Sequence, residues 1–224
     1  IIVAGIDLKQ NIINTYPVFQ NFSKCNVDAD VIIDFSSPLT LEDMLTYAVR
    51  NRIGCVLCTT GYTQEHLKLI SEASQRIPVL RSANMSMGIN LISKLLKAAA
   101  PILADAGFDI EIVERHHNKK LDAPSGTALA LADAINESLN NKYTYKMDRS
   151  TERAPRSKQE IGISAVRGGT IVGEHEIIFA GTDEVIEIKH TAYSKAIFAK
   201  GAIQAAKYLP GKQPGLYTMS DIMD

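Results

Sequence analysis

Neither charge sign dominates this sequence. Its 224 residues carry 24 Lys and Arg against 25 Asp and Glu, a net charge of −1. Without a basic surplus there is no electrostatic footprint for nucleic acid, and without a like-charge block there is no charged tail. No uninterrupted run of ~18 apolar residues suggests a membrane span. No signal-peptide pattern is visible, although the chain starts at Ile1 rather than Met, so a true N-terminus upstream is expected. Repeats and low-complexity segments are absent. Cysteine is scarce: Cys25, Cys55 and Cys58. The Cys55-Val-Leu-Cys58 spacing suits a metal, but no second Cys or His pair completes a zinc site, so no metal is expected. Reduced thiols in a cytoplasmic enzyme are the simpler account. No Gly-x-Ser-x-Gly elbow supports a serine hydrolase. What remains is 46% hydrophobic and 22% charged, an ordinary globular balance for one large domain or two small ones.

The first part of the chain alternates short apolar runs with helical patterns. Ile1–Gly5, ending at Asp7, reads as a strand, and 8–30 as polar, irregular chain with room for a short strand. Val31–Phe35, Cys55–Cys58 and a run beginning at Val79-Leu80 read as further strands. Leu41, Met44, Leu45, Ala48 and Val49 share a helical face, and 63–75 is helical. This order predicts an α/β fold with a parallel, doubly wound sheet. Ligands of such sheets lie outside the carboxyl ends of the strands, where an acidic residue can hydrogen-bond an adenosine ribose. Asp7 is placed for that role.

The second part reads differently. Ser86 can cap a helix over roughly 87–100, with Pro101 beyond it. Residues 141–160 are charged and aperiodic, a long loop that is either solvated or a lid. Ile161–Val166, Glu174–Phe179 and Val185–Thr191 read as strands of a mixed sheet, with a hairpin at Gly181-Thr-Asp183. Ile186, Ile188 and His190 share one face, Glu187 and Lys189 the other. Ala196 to Leu209 suggests a final helix, with Gly211–Gly215 a loop before the tail.

Between these parts lies Glu114-Arg-His-His-Asn-Lys-Lys-Leu-Asp-Ala-Pro-Ser-Gly-Thr-Ala128. Asp109–Val113 before it alternates like a half-buried strand, and Ala128, Leu131, Ala132, Ile135 and Leu139 after it recur at helical spacing. Pro124 ends the extended segment and Ser125 is a good N-cap. The amides of Gly126 and Thr127 then fall in the first helical turn, an anion site that Lys120 and His117 can reach. An imidazole with a pKa of ~6.5 can supply a proton near neutrality. If 115–117 is extended, His116 and His117 point to opposite sides, so the two need different jobs.

This block resembles the signature of the 4-hydroxy-tetrahydrodipicolinate (dihydrodipicolinate) reductase family, Glu-x-His-His-x-x-Lys-x-Asp-Ala-Pro-Ser-Gly-Thr. Arg167-Gly-Gly-Thr-Ile-Val-Gly-Glu-His175, Thr59-Thr-Gly61 and Ala83-Asn-Met-Ser86 are similar too. The resemblance implies NADH- or NADPH-dependent reduction of a cyclic dicarboxylate in lysine and diaminopimelate biosynthesis. It implies that His116 is the catalytic acid and that Lys120 assists protonation and holds substrate. His117, Lys120, Ser125, Gly126 and Thr127 match the substrate-binding positions. Cys58, Thr59, Thr60 and Ser82, Ala83, Asn84, Met85 match the cofactor-lining segments. Glu114 and Asp122 read as positioning groups or caps. The expected domains are 1–86 with 196–224 for the dinucleotide and 87–195 for substrate and oligomerisation, the final segment returning to the first. Cytoplasmic homotetramers built through the second domain's sheet are implied.

Three positions depart from the family pattern. Cys58 stands where many relatives have Gly. Lys195 replaces a common Arg, so a bidentate carboxylate grip becomes a point charge. The opening strand, glycine-rich phosphate loop and helix are missing, so about thirty further residues are expected upstream, the size of a βαβ opening. The 224-residue chain is accordingly expected to bind NADH poorly. A dicarboxylate-binding module without turnover remains a second reading at this point.

Overall fold

The computed structural model describes residues 1–9 and 14–223; the part of the irregular 8–30 stretch at 10–13 lies outside the described residues. The chain forms β1 (Gly5–Ile6), β2 (Val18–Phe19), β3 (Val31–Asp34), α1 (Leu41–Asn51), β4 (Gly54–Leu57), α2 (Gln64–Ser74), β5 (Pro78–Arg81), α3 (Met87–Asp105) and β6 (Asp109–His116). There follow α4 (Gly126–Ser138), β7 (Thr144–Lys146), β8 (Glu160–Arg167), β9 (Gly173–Ala180), β10 (Val185–Ala192), α5 (Ala196–Tyr208) and β11 (Gly215–Tyr217). It divides into two compact units, Ile1–Ser82 with Lys200–Asp224, and Ala83–Ala199.

The first unit is built on a parallel sheet in the order β11-β5-β4-β3. β4 is buried at all four residues, which suits its unbroken apolar run. Leu41, Met44, Leu45 and Ala48 of α1 and Ile70 and Ala73 of α2 pack with Cys55, Leu57 and Val79. The opening strand differs from expectation. Only Gly5–Ile6 is extended enough to pair, and it pairs with Val18–Phe19 in a separate two-stranded sheet. The loop expected over Gly211–Gly215 ends in a strand that sequence reading did not place: Gly215–Tyr217 adds β11 to the edge at β5.

The second unit has a mixed sheet in the order β10-β9-β6-β8-β7. Ile110 and Ile112 of β6, Ile161 and Ile163 of β8, and Ile177 and Phe179 of β9 line one face. Against them lie Ile89, Ile92, Leu96 and Ala100 of α3 and Ala128, Leu131, Ala132 and Ile135 of α4. The other face is half-exposed and carries an ionic row: Arg115 pairs with Glu174 and Glu176, and Lys189 with Glu174.

α3 continues through Pro101 to Asp105, five residues beyond the expected end. A proline inside a helix removes one backbone donor, and here the buried Leu96 and Ala100 keep the helix on the sheet. By length and composition alone α3 could cross a membrane, with a window of mean hydropathy 1.3. Its Lys94 and Lys97 are exposed and its buried stripe belongs to this core. The 141–160 stretch is not simply solvated. It contains β7, and Arg149 pairs with Glu111 and Glu160 while Arg156 pairs with Asp109.

Candidate active site

β6 decides the site by its period of two. Ile110 and Ile112 face the core, so Glu114 and His116 must follow on the same side, and both are buried. Strand register brings further polar groups alongside. His175 on β9 is opposite Glu114, His190 on β10 is opposite His175, and Arg167 on β8 is opposite His116. The apolar row of the sheet therefore ends in a polar cluster next to the start of α4.

Glu114 is fully buried, which is tolerable only if its charge is satisfied. Arg167 grips it bidentately, Nη1 to Oε2 at 2.7 Å and Nη2 to Oε1 at 2.6 Å. The Ser125 amide donates to Oε1 at 3.0 Å, and His116 Nδ1 lies 2.6 Å from Oε2. Burial pushes the Glu114 carboxyl up, but the bonds from Arg167, His116 and Ser125 outweigh it and hold the group below its ordinary range. Arg167 also donates to the Asp122 carbonyl at 2.7 Å, fixing the loop before α4.

Ser125 caps α4, its Oγ accepting the Ala128 amide at 3.1 Å, and the same hydroxyl lies 2.9 Å from His175 Nε2. Burial, then the nearby His116, lowers the His175 pKa to about 4, so this imidazole is neutral near pH 7. Burial lowers His190 as well. Asn84 Nδ2 donates to Thr127 Oγ1 at 3.0 Å, so the threonine hydroxyl keeps its own proton to donate. Asn84 is itself held by the Ser86 amide and by Asn90. Lys120 is not a lone cation: its Nζ lies 2.7 Å from Asp122 Oδ1, and this bond holds the Asp122 carboxyl below its usual range.

A cavity of about 300 Å³ gathers these groups within the second unit. His116, His117, Lys120, Ser125, Gly126 and Thr127 all line it, as do Ala83 and Asn84. Met85 is buried in the same unit. The remaining sequence-identified residues lie in the first unit. Cys58, Thr59 and Thr60 follow β4 at its carboxyl end, Ser82 follows β5, and Asp7 follows β1 and accepts the Lys9 amide at 2.8 Å. Burial, then the Asp34 charge, pushes the thiols of Cys55 and Cys58 up to about 12. Among the described residues no group of three His, Cys, Asp or Glu side chains is placed to hold a metal.

Sequence reasoning gave no role to Arg167, His175 or His190. The signal for the first two was present. Glu114 and His116 are two apart in a strand, and the Arg167–His175 stretch closes on the same strand.

The comparisons with known proteins agree with this architecture. The family model described as "Dihydrodipicolinate reductase, N-terminus" matches residues 4–85, and "Dihydrodipicolinate reductase, C-terminus" matches 88–223. The 4-hydroxy-tetrahydrodipicolinate reductase of Clostridium novyi (strain NT) is 51% identical over 222 residues, 99% of this chain and 87% of that protein. That of Caldanaerobacter subterraneus subsp. tengcongensis is also 51% identical, with the same coverage. Among solved structures, dipicolinate-bound dihydrodipicolinate reductase from Paenisporosarcina sp. TG-14 superposes with a TM-score of 0.79 at 26% identity, covering 97% of this chain and 87% of that one. An amine dehydrogenase from Mycobacterium smegmatis shares the fold at a TM-score of 0.59 and 8% identity, covering 97% of this chain and 87% of that one. Relatives matched over almost the whole chain are reductases, so binding without turnover is not the favoured reading. The chain belongs to the dihydrodipicolinate reductase family, nicotinamide-dependent oxidoreductases of lysine and diaminopimelate biosynthesis.

Proposed function

We propose that the cavity of the second unit binds the cyclic dicarboxylate and that His116 protonates it during reduction. The carrying observation is that His116, Lys120 and the first turn of α4 line one cavity. One substrate carboxylate is held by the Gly126 and Thr127 turn and the Thr127 hydroxyl, where the helix dipole favours an anion. His117, Lys120 and Lys195 supply positive charge or donors for the rest. The dipicolinate carried by the Paenisporosarcina relative supports a planar ring with two carboxylates as the occupant. Negative charge developing on the substrate is met by a proton from His116 and by the Lys120 ammonium.

The cofactor-binding residues are Asp7, Cys58, Thr59, Thr60, Ser82, Ala83, Asn84 and Met85. They fit a dinucleotide in two respects. Several follow the carboxyl ends of parallel strands. Thr59 Oγ1 is also buried without a well-formed hydrogen bond, an unsatisfied group that a ligand can complete. Reduced nicotinamide, when bound, supplies the hydride. On this reading the dinucleotide domain is 1–86 with 196–224, which is unit one together with the two ends of unit two, and 87–195 is the substrate and oligomerisation domain. The assembly is a cytoplasmic homotetramer, in keeping with the half-exposed sheet face and three unpaired thiols; a monomer by light scattering would exclude it.

Nicotinamide oxidation with freshly generated substrate tests the roles. His116→Gln should lower kcat by ~10²–10⁴-fold with a modest change in KM, the loss of a proton donor. Lys120→Ala should lower kcat and raise KM, because it also removes a carboxylate partner. Near-full kcat in His116→Gln would remove the acid assignment.

A further inference from the structure

We propose that Glu114 is a positioning residue for the proton donor: its carboxylate fixes His116 as the Nδ1–H tautomer, so that the transferable proton sits only at Nε2. The proposal rests on His116 being the acid. It follows from counting donors around one buried carboxylate.

Arg167 delivers two N–H groups and Ser125 one, all three to Glu114. An ionised carboxylate has no proton to give. The contact of 2.6 Å to His116 Nδ1 must therefore be donated by the histidine. Nδ1–H is then present in both the neutral and the protonated ring, and only Nε2 gains and loses a proton. That edge is kept clear by Gly173 on β9, where a Cβ would stand 3.1 Å from Nε2. The neighbouring ring of His175, edge-on at 5.2 Å between centroids, is engaged with Ser125. Glu114 thus holds the proton donor with one oxygen and the cap of α4 with the other. The donor and the anion cradle are set by a single side chain, and Arg167 keeps that side chain charged and still.

Glu114→Gln preserves shape and inverts two contacts. Arg167 Nη2 and the Ser125 amide both donate at the Oε1 position, so the amide oxygen takes that place. The amide NH₂ then stands at the Oε2 position, where it loses the Arg167 Nη1 bond and faces His116 Nδ1, which must become an acceptor, and the neutral ring moves its proton to Nε2. A neutral imidazole with Nε2–H is a far weaker acid than the imidazolium it replaces. The comparable wrong-tautomer substitution in a catalytic triad costs about 10⁴-fold in kcat.

Long-range ¹H–¹⁵N correlation on ¹⁵N-histidine-labelled full-length protein reads the tautomer without substrate. His116 should carry its neutral-state proton at Nδ1 in the wild type and at Nε2 in Glu114→Gln. In Glu114→Gln kcat should fall by about 10²-fold or more, while the dissociation constant for pyridine-2,6-dicarboxylate changes by less than about threefold. A merely structural Glu114 would weaken binding and kcat together and leave the tautomer alone, which overturns the proposal. So would a wild-type His116 with a bare Nδ1, a result that decides the question even if the variant does not fold. Full kcat in His116→Gln alongside an Nδ1–H wild-type ring would instead remove the acid assignment and leave the tautomer control standing.

Discussion

His175 shows what one buried imidazole does to the molecule. Its pKa falls to about 4 because burial disfavours the charged ring and His116 adds to the effect. In the unfolded chain the same ring titrates at ~6.5. Between these values the unfolded state binds a proton that the native state refuses. Stability is therefore complete above pH ~6.5 and is lost as pH falls toward 4, by an amount on the order of 3 kcal/mol. Glu114, whose folded pKa is lowered, adds a loss in the same direction at still lower pH. Urea unfolding of the wild type should show a midpoint that drops across pH 6.5 to 4, and His175→Asn should flatten that drop. An equal slope in both proteins would mean that His175 is not the group responsible. The sequence made His116, His117 and Lys120 legible as a cluster because they are neighbours in the chain. It gave no role to His175 and Arg167, the two ends of a family-like stretch, because they join the cluster only through strand register, 59 and 51 positions after His116 (175 − 116 and 167 − 116).

Elements place these residues, and β9 leaves little room beside His116. Its first residue, Gly173, sits where β9 passes His116, and a Cβ there would come 3.1 Å from Nε2 and 3.4 Å from Cδ2. Contacts of that length demand that the ring move by a few tenths of an ångström. A shift of the proposed proton donor matters more to the reaction than to the fold, since catalysis depends on near-attack geometry. Gly173→Ala should lower kcat by about tenfold or more while costing less than ~1 kcal/mol of stability. Unchanged kcat would show that His116 has room to spare. Long periodic elements were readable beforehand: the α4 stripe, the alternation of β6, the hairpin after β9. The failures were short or tertiary. β7 is three residues in a charged stretch, fixed by pairing with β8, and β11 is three residues fixed by pairing with β5. Neither carries a periodic signal of its own.

At the scale of the whole molecule, two hydrophobic cores underlie the two proposed ligand sites. Every residue lining the proposed dicarboxylate cavity belongs to Ala83–Ala199, whereas Asp7 belongs to the first unit. Asp7 can accept a hydrogen bond from a ribose hydroxyl but repels a phosphate at the same place. Lys9, whose amide already binds Asp7, lies close enough in the chain to offset part of that repulsion. NADH should therefore be used at least as well as NADPH, without strict selection. Asp7→Ala should shift the ratio of kcat/KM values toward NADPH, because it removes a ribose acceptor and a negative charge in one step. A wild-type preference for NADPH above about tenfold, ~1.4 kcal/mol, would contradict the role of Asp7. The same substitution leaves the cavity of the second unit untouched. Calorimetric titration with pyridine-2,6-dicarboxylate in the absence of cofactor should give Asp7→Ala and wild type the same affinity within about twofold. If the dicarboxylate affinity falls along with NADH use, the division of labour between the two units is wrong.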